Sequence, residues 1–551
     1  MTGIGALIMF WLVNRLSEHV RAHMESGKPF NEVFDGVADT FVGNPLHLSL
    51  DQTDFIAGGV GALIILLIVL YNFTGQNNPR PGEEQGSAAW AGPRDIAPLT
   101  TKDRNARLQL TETETLSIDS YKTGRNLNVC VIGASGTGKT RGYVLPNLRT
   151  VSMSKAVTDP KGEIYRNTAA ELRTQGYNVR VLNLVDLADS GHFNPFEYFD
   201  PRQPEASIAQ MTEGIMANTA SVNSTGDGFW ERAERALLNA LIAYVWATQR
   251  TGGEEPSLVD VVDLHKAMEA AEGDGADRYR SSVDDQFAVA REIVEEWKKQ
   301  PDKDTDPIVM NVLDFACRQY RTFEQGAGET KKSVIISLGV RLAPLDMSDI
   351  RRIMADDDLA IDRLGYEPTV LFLAIPDTHQ TFKFLAAMFW QSVFEKNIYI
   401  ADHEEGGQLP RPLHLFLDEF ANIGKIPGFP IIMATIRSRG ISASIIVQSH
   451  TQGKALWKDD WATIVANCDS ILYLGGRDLD TLKWMSALIG DETVTGEDIS
   501  RSYGVNASYT RSQRTMKRAL MTPDELGVMS NDMAILLLRG LRPFKSRKVR
   551  I

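Results

Sequence analysis

The sequence predicts an α/β protein whose parallel β-sheet is interrupted by a long helical segment and preceded by a membrane anchor. Apolar strand-like runs alternate with helical segments from Val129 to about Asn194, stop, and resume at Val370 (VLFLAI), Leu413 (LHLFLDEF) and Ile441 (ISASIIVQ), as in a sheet covered on both faces. Between these blocks, WERAERALLNALIAYVWA and DDQFAVAREIVEEWKK space apolar residues by three and four, the period of an amphipathic helix. Ahead of them stands an uncharged run, FIAGGVGALIILLIVLY, from Phe55 to Tyr71.

That run has no polar face, and at helical rise it reaches about 25 Å, the short end of a membrane span. Met1 to Asn14 is also uncharged and predicts a shorter first helix, without the basic start of a secretory signal. If both span, Arg15 to Asp54 lies outside and both chain ends lie inside. Arg80, Arg94, Lys102, Arg104 and Arg107 after the second helix agree, against Arg15, Arg21 and Lys28 in the external stretch.

With 551 residues, 43% hydrophobic and 23% charged, the chain is neither disordered nor a polytopic membrane protein, and exceeds a single core. Cys130, Cys317 and Cys468 are too far apart in sequence for metal-ligand or redox spacing, which argues against a disulfide framework or a zinc site. The net charge of −13 argues against nonspecific coating of nucleic acid. Residues 201–330 hold 13 basic against 24 acidic side chains, so one segment carries nearly all the excess, either as a solvated surface or as a docking face for basic partners.

Val129 to Thr140 reads VCVIGASGTGKT, a strand followed by G-x-x-x-x-G-K-T. In such a loop Gly133, Ala134, Ser135, Gly136, Thr137 and Gly138 turn successive backbone N–H groups toward phosphate. Lys139 is then expected on the β- and γ-oxygens of ATP and the Thr140 hydroxyl on Mg²⁺. The strand LHLFL ends at Asp418 and Glu419: Asp418 is expected to hold Mg²⁺ and Glu419 to act as general base toward the attacking water. Gln448, closing ISASIIVQ, is a γ-phosphate sensor candidate at the carboxyl edge where ligands of α/β sheets sit. Arg437 and Arg439 in ATIRSRG are both candidates for an arginine finger reaching a neighbouring subunit, with Arg437 preferred.

Several segments together resemble the TraG/TraD-like type IV secretion coupling proteins. These are GSAAWA (Gly86 to Ala91), VLPNL after the P-loop (Val144 to Leu148), DPKGEIY (Asp159 to Tyr165), FNPF (Phe193 to Phe196) and the helix DGFWERAERALLNALIAYV from Asp227. LFLDEFANIG from Leu415, IVQS at Ile446, IVANCD (Ile464 to Asp469) and LMTPDEL (Leu520 to Leu526) follow in family order. The resemblance implies a RecA-like P-loop domain interrupted by an all-α domain, an N-terminal transmembrane helical hairpin in the bacterial inner membrane, and a homohexameric ring. The corresponding division is 1–75 anchor, 76–200 first nucleotide-binding part, 201–330 all-α domain and 331–551 second nucleotide-binding part. QGAGET (Gln325 to Thr330) marks the return from the helical domain, and DPKGE forms a loop at the P-loop edge, either near the nucleotide or as a plain turn.

The implied function is an ATPase that couples DNA, relaxosome proteins or secreted effector proteins to type IV secretion channel components, its anchor in membrane lipid. Two other readings compete. An FtsK-like DNA translocase would need a DNA-reading module after Leu526, for which few residues remain; a substrate receptor would use ATP for assembly alone. No relaxase or nuclease motif is present, so the chain is expected neither to cut nor to join DNA.

Overall fold

The computed structural model describes the chain except for residues 1, 75–79, 81, 220–227, 269–280, 302, 327, 502–508 and 551. Asp227, the expected helix start, and Ala327 of QGAGET therefore lie outside the described residues; that helix runs Gly228–Gly252. The chain divides into two compact units: Met1–Ser87 with Glu492–Lys517, and Ala88–Asp491 with Arg518–Ile551.

In the first unit, helices Thr2–Glu25 and Gln52–Thr74 pack along each other. Glycine is required at the crossing: a Cβ on Gly58 would stand 2.9 Å from the Phe10 carbonyl oxygen, and one on Gly61 would stand 2.6 Å from Val13 Cγ2. Among the described residues, Gln52–Tyr71 is the one helix long and apolar enough to cross a membrane, and its Leu63, Ile64, Leu66, Leu67 and Ile68 are exposed. The first helix extends well past Asn14 but turns polar there. Asn14 is buried against the backbone of Ser49, and Ser17 and Arg21 hold Asp54 at 2.8 Å each. The stretch expected as an external loop is thus partly helical and folded on itself.

Thirteen strands are present among the described residues: β1 Arg107–Gln109, β2 Thr115–Ser117, β3 Val129–Ile132, β4 Ser154–Pro160, β5 Asn178–Asn183, β6 Thr369–Ile375, β7 Leu413–Leu417, β8 Ile441–Val447, β9 Ser470–Tyr473, β10 Asp491–Arg501, β11 Tyr509–Ala519, β12 Met533–Leu538 and β13 Phe544–Arg547. Nine build the central sheet, in the order β13-β12-β9-β3-β8-β7-β4-β6-β5. β3, β6, β7 and β8 are wholly buried, as their unbroken apolar runs require. The expectation of a parallel sheet needs correction: β12 pairs antiparallel with β9 and with β13, so the sheet is mixed. β13 is a short edge strand with an alternating wet face, which explains its basic residues.

Between β5 and β6 the described residues contain helices and turns but no strand, and the helices continue past Thr330 through Gly328–Leu342 and Ser348–Met354. Capping boxes start two of them, Ser257 with Asp260 and Ser281 with Asp284. Their core includes a Phe287–Tyr320 stack with centroids 3.8 Å apart, and the nearly buried Glu234 is paired with Arg341 at 2.8 Å.

His414 on β7 is wholly buried between the hydroxyls of Ser442 and Ser444, 2.7 Å from each. Burial, with Lys155 nearby, pushes its imidazole from 6.5 down to about 3. Below pH 6.5 the unfolded chain takes up a proton that the folded chain refuses, so this contribution is complete above 6.5 and lost on acidification. Between pH 6 and 4, wild-type stability is expected to fall about 1.4 kcal/mol per pH unit more steeply than that of His414→Gln. Urea midpoints across that range test this, and parallel profiles would refute it.

Candidate active site

The carboxyl ends of β3, β4, β6, β7 and β8 lie along one edge of the sheet, because all five run parallel. Each delivers a polar loop there. After β3, the Gly133 N–H donates to the Val447 carbonyl at 3.1 Å and the Ala134 N–H to that of Gly475 at 3.0 Å, which fastens the loop start to the end of β8 and to the turn just after β9. A Cβ on Gly133 would fall 2.4 Å from Thr137 Oγ1, while Gly136 and Gly138 adopt φ of 79° and 90° with open space beside them. The loop is a glycine-rich backbone cradle, and it opens into the helical turns Thr140–Val144 and Leu145–Thr150.

β7 aims two carboxylates at this cradle. Asp418 is 2% exposed and accepts from the Thr140 hydroxyl at 3.0 Å and from the Glu419 N–H at 2.9 Å. Burial, and then the adjacent Glu419 charge, push its carboxyl up to about 6. Glu419 takes a left-handed conformation, φ 49° and ψ 48°, unusual for a residue with a Cβ. Its carboxylate stands 3.5 Å from Lys139 Nζ, and the Gln448 amide donates to it at 3.1 Å. Thr140 and Asp418 are oxygen donors of the hard type that suits a small divalent cation. Lys139 and the loop N–H groups suit phosphate, and the Glu419 carboxylate, a group able to accept a proton, is held by the Gln448 amide.

Thr140, Lys161, Glu163, Asp418 and Glu419 line one cavity of about 250 Å³. Lys161 reaches it from the loop after β4 and pairs with Asp377 at 3.2 Å. Asp159 instead turns inward: it is buried and accepts from the N–H groups of Ile164 and Tyr165, capping the helix Glu163–Thr174. The two arginines stand elsewhere. Arg437 and Arg439 precede β8, at the opposite end of the strand from Gln448. Arg439 is engaged by both oxygens of Asp402 at 2.7 and 2.9 Å, whereas Arg437 donates to the Ser120 carbonyl at 2.9 Å. One contributor escaped sequence reasoning: Lys548, in the basic tail, donates to the Thr137 carbonyl at 2.7 Å. Its only sequence signal was a cluster of basic residues, which an edge strand explains equally well.

A family model described as type IV secretory system conjugative DNA transfer matches residues 95–551. The conjugal transfer protein TraG of Escherichia coli is 24% identical over 516 residues, covering 85% of this chain and 75% of the relative. TraG of Rhizobium radiobacter is 23% identical and VirD4 of Agrobacterium fabrum 21%, covering 75% and 78% of this chain; the chain spans about 60% of the length of each. Among solved structures, the bacterial conjugative coupling protein TrwB in its unbound form matches with a TM-score of 0.58 at 16% identity, over 84% of this chain and 93% of that one. TrwB in complex with ADPNP matches equally well, at 14% identity over the same shares. These structural likenesses establish the fold.

Proposed function

The chain belongs to the type IV secretory system conjugative DNA transfer family, the type IV coupling proteins, and from that premise we propose that it is an ATPase of the bacterial inner membrane that drives DNA–protein substrates toward a secretion channel. The observation that carries the ATPase is the pair Asp418–Glu419 closing on Thr140 and Lys139. Lys139 and the N–H groups from Ala134 to Thr140 hold the phosphates of ATP, as their cradle supports. Thr140 and Asp418 hold Mg²⁺, which when bound offsets phosphate charge. Glu419 takes the proton of the attacking water, and Gln448 keeps that carboxylate in place. TrwB, of like fold, was solved with ADPNP and with ADP and Mg²⁺, which supports a nucleotide site here.

In this reading, residues 76–200 and 331–551 supply a RecA-like domain built on the nine-stranded sheet, interrupted by an all-α domain over residues 201–330. Residues 1–75 anchor it, with Gln52–Tyr71, the helix long and apolar enough to cross a membrane, as one span and the first helix completing a hairpin. Six copies form a ring in which Arg437, the less engaged of the two arginines, reaches the γ-phosphate of the neighbouring copy. The acidic helical segment favours contact with basic protein partners rather than with phosphate backbone.

Steady-state ATP hydrolysis by the full chain in nanodiscs, with and without single- or double-stranded DNA, tests this with Lys139→Ala as the blank. Hydrolysis above the blank and severalfold stimulation by DNA are expected. Indifference to DNA would sink the DNA-driving part, and turnover no faster than the blank would sink the enzyme.

A further inference from the structure

One buried cation beside the phosphate cradle has no part in the chemistry above. Lys548 is 8% exposed, and besides the Thr137 carbonyl its ammonium donates to Asn531 Oδ1 at 3.2 Å. The tail around it is tied down on both sides. The Lys548 N–H donates to the Asp532 carbonyl at 2.8 Å, and the Arg547 carbonyl accepts from the Glu112 N–H at 2.9 Å. The Val549 carbonyl lies 3.7 Å from where a Cβ on Gly142 would stand, so the tail also runs against the turn that follows Thr140. Burial pushes the ammonium down to about 8 while Asp532, itself paired with Arg550, opposes that shift. A cation kept in so dry a place is held there by oxygens worth reaching.

Thr137 sits between Gly136 and Gly138, the two loop residues with left-handed backbone; its N–H and hydroxyl both donate to the Ala134 carbonyl, at 3.2 and 2.7 Å, and Lys548 holds the peptide on its other side, which the Gly138 φ leaves free to turn. The Thr137 carbonyl and the Gly138 N–H belong to one planar peptide unit and point in opposite directions. Anchoring the oxygen from behind therefore fixes where the N–H points, and a cation on the oxygen makes that N–H a stronger donor.

We propose that Lys548 is a positioning residue of the nucleotide site, holding the Thr137 carbonyl so that the Gly138 N–H faces phosphate and coupling nucleotide affinity to the docking of the C-terminal tail. This rests on the nucleotide reading above. Lys548→Met keeps the apolar stem and removes the charge; Lys548→Arg keeps the charge. Equilibrium binding of fluorescent ADP and ATP to the full chain in nanodiscs is compared with urea unfolding in the absence of nucleotide. Lys548→Met is expected to bind about tenfold more weakly, the size of one charge-assisted hydrogen bond, and, with two hydrogen bonds lost, to unfold at a slightly lower midpoint while remaining fully folded under the binding conditions. Lys548→Arg is expected to recover most of that affinity. Wild-type affinity in Lys548→Met, or a loss of affinity that merely follows a loss of stability, overturns the proposal. Wild type that binds nucleotide no better than Lys139→Ala would instead remove the nucleotide reading itself, and this inference with it.

Discussion

Glu419→Gln is expected to lower kcat for ATP hydrolysis by about 10²- to 10⁴-fold, the usual contribution of a general base, while nucleotide still binds. The substitution is nearly isosteric, so the left-handed turn after β7 and the hydrogen bond from Gln448 can both persist. What changes is the ability to accept a proton. The Lys139 ammonium also loses its carboxylate neighbour at 3.5 Å and is left freer for phosphate, so affinity is expected to hold or rise. Single-turnover hydrolysis beside equilibrium binding separates the two effects. A variant turning over within a few-fold of wild type would show that Glu419 is not the base, and equal loss of binding and turnover would show that it shapes the site instead.

Trp461→Ala is expected to destabilise the chain by about 3–5 kcal/mol, as for other large aromatic truncations in well-packed cores. Trp461 is fully buried, and its indole lies so close to helix His450–Trp457 that a Cβ on Gly453 would meet the ring at 2.4 Å. Its N–H donates to His450 Nδ1 at 2.9 Å, which requires a neutral imidazole, and burial does hold His450 below its ordinary value. Trp461→Phe should lose less, because much of the ring volume remains and the lost hydrogen bond is worth about 1 kcal/mol. The helix so pinned begins two residues after Gln448, so Trp461→Ala should also slow hydrolysis under conditions where the chain is still folded. Denaturant unfolding of the three proteins checks the order; a cost below 1 kcal/mol for the alanine variant would mean the ring is not the brace its packing indicates.

Local chemistry made much of this protein legible. A wholly buried strand must be an unbroken apolar run, so β3, β6, β7 and β8 could be placed from sequence, as could the residues that close them: Gly133 to Thr140, Asp418 with Glu419, and Gln448. The three- and four-residue spacing marked the helices between β5 and β6 because an amphipathic helix must repeat at that period. The helix long and apolar enough to cross a membrane followed from apolar length alone, although Asn14 gains burial in the first helix only once the segment around Ser49 folds over it.

Tertiary structure decided what local pattern does not encode. The interleaving of β3 between β8 and β9 is set by hydrogen-bond register between segments more than 300 residues apart, and the antiparallel edge joins it through the pairing of β12 with β9. Only after that pairing does Gln448 meet Glu419, and only then does Lys548 reach Thr137 across 411 positions of sequence. Asp159 and Arg437 show the converse. Both belong to residue types that serve phosphate sites, yet the fold turns one inward as a helix cap and carries the other to the far end of β8, away from the cradle of its own chain. Sequence determines which side chains stand at strand ends because burial leaves them no other place. Which of those ends face one another depends on strand order, and that is fixed by long-range packing of apolar faces that any of several orders would bury.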